Sequence, residues 1–180
     1  MNIANHIGQR FIELTEAWKD IDASQLQGIV SRLALAREYR NTVWIAGNGG
    51  SAANASHMSL HLRQSGILAH ALVSEIPLVT AISNDLHYDQ SFVDQISSHA
   101  RPGDVTILLS GSGTSPNILA LGRLAAERRM DCYGLLGSSG GEALELCTGA
   151  IVVQTRAYAI IEDIHSMLLH LIQEGLAQNV

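Results

Sequence analysis

An apolar run, Thr42-Val43-Trp44-Ile45-Ala46, breaks into Gly47-Asn48-Gly49-Gly50-Ser51 and leads on into Ala52-Ala53-Asn54-Ala55. This order reads as strand, glycine turn, helix. Glycines let the backbone turn tightly and approach a ligand closely, and Ser51 stands where a helix N-cap is expected. The first turn of such a helix offers unpaired N–H groups at the positive end of its dipole, which suits an anion. Farther along, His57 and His61 are four apart and project from one face. Taken alone, the stretch fits either an anion cradle with metal or acid–base ligands beside it, or a tight turn and two surface histidines.

The pattern recurs. Val105-Thr106-Ile107-Leu108-Leu109 is continuously apolar, as in a strand buried on both faces, and runs into Ser110-Gly111-Ser112-Gly113-Thr114-Ser115. Pro116 then fits the first turn of a helix bearing Ile118, Leu119, Leu121 and Leu124. Further strands are expected at Ala69–Val73, Cys132–Leu136 and Ala150–Gln154. Pro77 opens Leu78–Ser83, which leads to the polar turn 84–89; helices are expected at about 89–99, 142–147 and 157–177. Strands alternating with helices indicate a parallel sheet covered on both faces. Two amphipathic helices precede it over residues 3–38, broken at Asp22-Ala23-Ser24, and pack against the domain or a second subunit. The expected organisation is one domain over 1–180, with 1–38 as a helical segment for packing or oligomerisation and 40–178 as an αβα core.

At the carboxyl ends of parallel strands, four hydroxyls and two glycines between strand and helix can hold three phosphate oxygens without a lysine. A single helix cap needs one hydroxyl, not four. Neither glycine loop is a P-loop, because no lysine follows, and neither is a dinucleotide fingerprint, so a small phosphate ester is favoured over a nucleotide. Formal net charge is −6 and Lys19 is the one lysine, which disfavours general nucleic-acid binding. No run of eighteen apolar residues suits a membrane span, and no signal peptide is apparent. Cys132 and Cys147, in apolar company, read as thiols in a reducing compartment, and the expected location is cytoplasmic.

Gly47–Ser51 with His57, Ser83-Asn84-Asp85, the 110–115 loop, and Glu162-Asp163-Ile164-His165 with His170 together resemble the sugar isomerase (SIS) domain, nearest in pattern to the phosphoheptose isomerases. The resemblance covers about residues 40–175. It implies a flavodoxin-like three-layer αβα sandwich, a homotetramer with active sites between subunits, and aldose–ketose interconversion of sedoheptulose 7-phosphate and a heptose 7-phosphate through an enediolate. It also implies roles for particular residues. Asn48, Gly49 and Ser51 match the first sugar-phosphate loop, Asn84 and Asp85 a substrate-binding turn, and Ser110, Gly111, Ser112 and Ser115 the phosphate loop. Glu162 falls at a position that meets substrate or metal, and His57 and His170 at metal-binding histidines, His170 also at an acid–base position.

The departures are specific. The family's glutamate base and ligand is His61 here, its glutamine ligand is Glu162, and its Asp-Arg pair before that glutamine is Ala159-Ile160. The family's S-T-S-G-N-S loop reads Ser110-Gly111-Ser112-Gly113-Thr114-Ser115. His57, His61, Glu162 and His170 form a set that suits Zn²⁺. Glu162 and His170 are eight apart, about 12 Å on one helix, so either Glu162 precedes the helix or the ligands come from two chains. If an ion occupies His61, the base falls to Asp163, Asp85 or His165; otherwise His61 and His170, with Asp163, are the catalytic candidates. The alternative is a non-catalytic SIS protein that binds a phosphosugar or a partner. The replication-initiator-associating proteins resemble the chain around Ser51–Ala55. His99, His87, Arg63 and Arg156 read as mainly surface groups.

Overall fold

The computed structural model describes residues 2–178; Met1, Asn179 and Val180, at the ends of the expected domain, lie outside the described residues. Two helices come first, α1 (Ile3–Lys19) and α2 (Ala23–Tyr39), each capped by the side chain before it. Asn2 accepts from the Ala4 N–H and Asp22 from the Ser24 N–H at 2.8 Å, satisfying donors that the first turn leaves open. Helix α2 buries Ile29, Val30, Leu33 and Ala36 against the core. Helix α1 has no buried residue and touches the core only through Leu14, Ala17 and Trp18.

The core chain runs β1 (Thr42–Gly47), α3 (Gly50–Gln64), β2 (Leu68–Ala71), α4 (Ile76–Asp85), α5 (Val93–Ile96) and β3 (Val105–Ser110). It continues through α6 (Pro116–Glu127), β4 (Asp131–Gly137), β5 (Gly149–Val153) and α7 (Tyr158–Gln178). The five strands pair in parallel in the order β2-β1-β3-β4-β5. Successive side chains point to opposite faces, so each strand feeds two cores. Ile45, Ile107, Leu109 and Leu135 pack with α2, α3 and α7, while Ala46, Leu108 and Leu136 pack with α5 and α6. The result is the expected α/β sandwich of three layers. Every residue of β3 is buried, as its unbroken apolar run requires.

The segment between β2 and β3 differs from expectation. The strand begins at Leu68 and ends at Ala71, because a turn closed by the Ser74 N–H on the Ala71 carbonyl carries the chain out of the sheet. Pro77 sits at the start of α4, so Asn84 and Asp85 belong to that helix's last turn and not to a loop after it. The helix expected over 89–99 is instead a 3₁₀ turn, Tyr88–Gln90, and the short α5, held by buried Phe92 and Ile96. Residues Glu142–Leu146 likewise form a 3₁₀ turn.

Candidate functional site

Strands β1 and β3 are neighbours, yet the helices that follow them leave for opposite layers: α3 packs through Ala55, Met58 and Leu62 on one face, and α6 through Ile118 and Leu121 on the other. Such a switch point opens a crevice at the strands' carboxyl ends. Both glycine loops face it. Gly47 has no room for a side chain, since a Cβ there would lie 2.4 Å from the Ser51 carbonyl oxygen. Gly49, at φ 59°, turns the chain into α3. Ser51 is therefore not the N-cap. It sits inside the first turn, 4% exposed, and no side chain caps this helix; the Ala52 and Ala53 N–H groups turn to the Gly49 carbonyl, which leaves those of Gly50 and Ser51 for a ligand.

Two of the loop's hydroxyls organise the loop itself. Ser110 Oγ accepts from the Gly113 N–H at 3.0 Å, and Ser112 Oγ accepts from both the N–H and the hydroxyl of Thr114 at 3.2 Å. Ser115 stands at the N-cap of α6 without a side-chain cap bond, so its hydroxyl remains available beside that helix's first turn. The two loops enclose a cavity of about 90 Å³ lined by Asn48, Ser51, Ser110, Ser112, Ser115 and, from α7, Glu162. Tyr158 covers it from one side: its ring lies against Gly111, where a Cβ would come within 2.6 Å of a ring carbon.

A polar brace joins the loops. Asn48 and Asn117 exchange two amide hydrogen bonds of 2.9 Å, and the Tyr88 hydroxyl donates to Asn48 Oδ1 at 2.8 Å. Asn117, 1% exposed, also receives the Ile118 N–H. Sequence reasoning missed Asn117, Tyr88 and Tyr158. An asparagine in the first turn of an otherwise apolar helix was the available signal for the first; the tyrosines had none.

Helices α3 and α7 run side by side in the same sense, which sets the rest of the site. At their starts, the Glu162 carboxylate lies over Gly50, and the Asn54 amide donates to the Glu162 carbonyl. Two to three turns on, His57, His61 and His170 converge, one ring nitrogen of each within 4.8 Å of the others. His57 Nε2 and His61 Nε2 are 2.8 Å apart, and the three ring centroids are separated by 4.4 to 5.2 Å. Burial, then the neighbouring His61 and His170, holds His57 below the ordinary histidine range, which keeps the metal-binding neutral form. Neutral imidazoles at this separation suit a divalent ion such as Zn²⁺.

Glu162 does not join that cluster. Both it and His170 belong to α7, and two helical turns separate them, so the expected four-residue ligand set divides within the chain: three histidines together, the carboxylate at the cavity. Asp163, one residue on, is exposed and lines neither place. His165 is fully buried in α7, with neither ring nitrogen in a well-made hydrogen bond, and burial, opposed by the Leu136 backbone, pushes its pKa down to about 4. Asn84 and Asp85 are exposed at the end of α4, bonded to each other at 2.8 Å and three residues or more before Tyr88. Arg63 and His99 line a separate pocket beside Trp44, and Arg156 lies by Ser138, away from the cavity.

Residues 8–137 match the family model of the SIS domain. A phosphoheptose isomerase from Burkholderia pseudomallei is 39% identical over 136 residues, 72% of this chain and 69% of that protein. One from Maridesulfovibrio salexigens is 30% identical over 166 residues, 89% of this chain and 81% of the relative. The structure of phosphoheptose isomerase GmhA from Neisseria gonorrhoeae superposes with a TM-score of 0.91 at 27% identity, covering 98% of this chain and 97% of that one. With its 2-1-3-4-5 parallel sheet and two loops at the switch point, the chain belongs to the SIS domain family.

Proposed function

We propose that the protein is a phosphosugar isomerase that interconverts sedoheptulose 7-phosphate and a heptose 7-phosphate. The observation that carries this reading is the spacing of two functional clusters along α3 and α7. The phosphate end is the cavity at Ser51, Ser110, Ser112 and Ser115, where hydroxyls meet the first N–H groups of α3 and the N-terminal end of α6. The reactive end is the histidine cluster, with His170 two turns beyond Glu162 on α7, roughly 12 Å along the axis. An extended sugar phosphate bridges that span. Asn48 and Gly49 shape the first loop and Gly111 the second; Asn84 and Asp85, outside the cavity lining, keep only the substrate-binding role that the resemblance implies.

In the reaction a base removes the proton alpha to the carbonyl, an enediolate forms, and an acid returns a proton to the neighbouring carbon. We assign these transfers to His61 and His170. His57 Nε2 sits 2.8 Å from His61 Nε2 and orients that ring. His57, His61 and His170 would hold Zn²⁺, which supplies Lewis acidity toward the enediolate oxygens when bound. A liganded imidazole is not a free base, so the two duties compete for the same nitrogens. Activity followed against zinc occupancy separates them: it rises if the ion stabilises the enediolate and falls if the free imidazoles move the proton. His57→Ala and His170→Ala each lower zinc per subunit at least tenfold if this ligand set is right.

The enzyme is tested by incorporation of solvent hydrogen into sedoheptulose 7-phosphate, with and without Zn²⁺. No incorporation in either condition refutes it and leaves a phosphosugar-binding protein, the reading favoured by His61 standing where the resembled family has its glutamate. We further propose a single SIS domain, a homotetramer and a cytoplasmic location, the last supported by the two free thiols of Cys132 and Cys147.

A further inference from the structure

The cavity pairs two features of opposite sign. Two helices direct their N-termini at it, each equivalent to roughly half a positive charge. Among the residues that line it there is no lysine or arginine, and one full negative charge, Glu162. That carboxylate lies against the first residue of α3: all three of its atoms would fall within 2.4 Å of a Cβ on Gly50. It accepts no hydrogen bond and forms no ion pair among the described residues, so its lone pairs are open to the cavity. The charge of the side chain therefore cancels about what the two helix ends contribute.

We infer that Glu162 is a specificity-determining residue that makes the cradle reject free inorganic phosphate and accept a polyol phosphate ester. The inference rests on the cavity being the phosphate site. Inorganic phosphate brings up to two negative charges and, as HPO4²⁻, a single P–OH, so one hydrogen bond at most sets itself against the repulsion at Glu162. A sugar phosphate brings the same charge together with hydroxyls near the ester, and a hydroxyl donating to the open carboxylate offsets the repulsion. The discrimination comes from a group that repels both ligands and is compensated more fully by the one with several hydroxyls. Glutamine, which the SIS resemblance places at this position, has no charge to repel with. Its side chain would let either ligand in.

The test compares dissociation constants of inorganic phosphate and sedoheptulose 7-phosphate, by calorimetry at low ionic strength, for the native protein, Glu162→Gln and Glu162→Ala. Thermal melts confirm that the variants are folded. Glu162→Gln tightens inorganic phosphate about tenfold, and the preference for the sugar phosphate over inorganic phosphate shrinks by at least the same factor. Glu162→Ala, which lacks the hydroxyl acceptor as well, tightens inorganic phosphate too and narrows the preference further. Inorganic phosphate binding that is unchanged or weaker in both variants overturns the inference while leaving the cradle intact, provided Ser115→Ala still weakens the sugar phosphate. Should Ser115→Ala and Ser51→Ala leave both ligands bound as before, the phosphate site lies elsewhere and the inference falls with it.

Discussion

His165 illustrates how one side chain can write a pH dependence into the whole chain. It is fully buried on α7, neither ring nitrogen forms a well-made hydrogen bond, and burial, opposed by the Leu136 backbone, lowers its pKa from 6.5 to about 4. The unfolded chain takes up a proton near 6.5 and the native state does so only near 4, so stability falls as the pH drops through that window. The loss approaches roughly 3 kcal/mol at the acid end. Urea melts at pH 7 and pH 4.5 measure it, and His165→Leu removes most of the difference. Gly113 is a second constrained point: φ is 67°, and a Cβ would sit 1.8 Å from the Gly140 carbonyl oxygen. Gly113→Ala is expected to cost about 3 kcal/mol or more, read from the same melts. The motif at Gly47–Ser51 pointed to the candidate site but not to where Ser51 sits in the helix. A serine after glycines looks like a cap, and only the positive φ of Gly49 reveals that the helix has already begun one residue earlier.

Strands were the most legible elements, because burial on both faces leaves an unbroken apolar run such as Val105–Leu109. The 2-1-3-4-5 order was not legible from the strands; the resemblance of the loops implied a flavodoxin-like sandwich without stating that order. The α4–α5 region was poorly legible: short helices and 3₁₀ turns are held by buried Phe92 and Ile96 and by bonds to distant elements, not by their own periodicity. The start of α7 was read to within a residue, but the contact made there was not legible. Tyr158 packs its ring on Gly111, a contact between residues almost fifty positions apart that no local pattern announces. This explains the glycine where the resembled loop has threonine: the ring occupies the space a side chain would need. Gly111→Ala alone is expected to destabilise by about 1–3 kcal/mol through overpacking. Combined with Tyr158→Ala the penalty largely disappears, and the coupling in the double-mutant cycle measures the contact.

Among the described residues no helix is long and apolar enough to cross a membrane, so the exposed apolar side chains call for another explanation. Ile3, Ile7, Phe11 and Ile12 are all more than half exposed on α1, the one helix of the outer layers without a buried residue. A patch of this kind on a water-facing helix is unfavourable unless covered, and the proposed homotetramer would cover it. Phe11→Glu should then lower the mass found by sedimentation equilibrium without changing the melt of the isolated protomer's core; an unchanged mass places the subunit contacts elsewhere.

The amide pair between Asn48 and Asn117 has a kinetic corollary. Two strands' worth of loop are stapled to each other before anything arrives, so the receptacle is finished in advance and an incoming anion has no wall to build. Association then runs at the pace of encounter, and selectivity shows up in how long the guest stays. Stopped-flow traces with rising ligand should stay linear in the native protein, whereas Asn117→Ala, with the staple cut, bends them toward a plateau set by the rate at which the loops find each other.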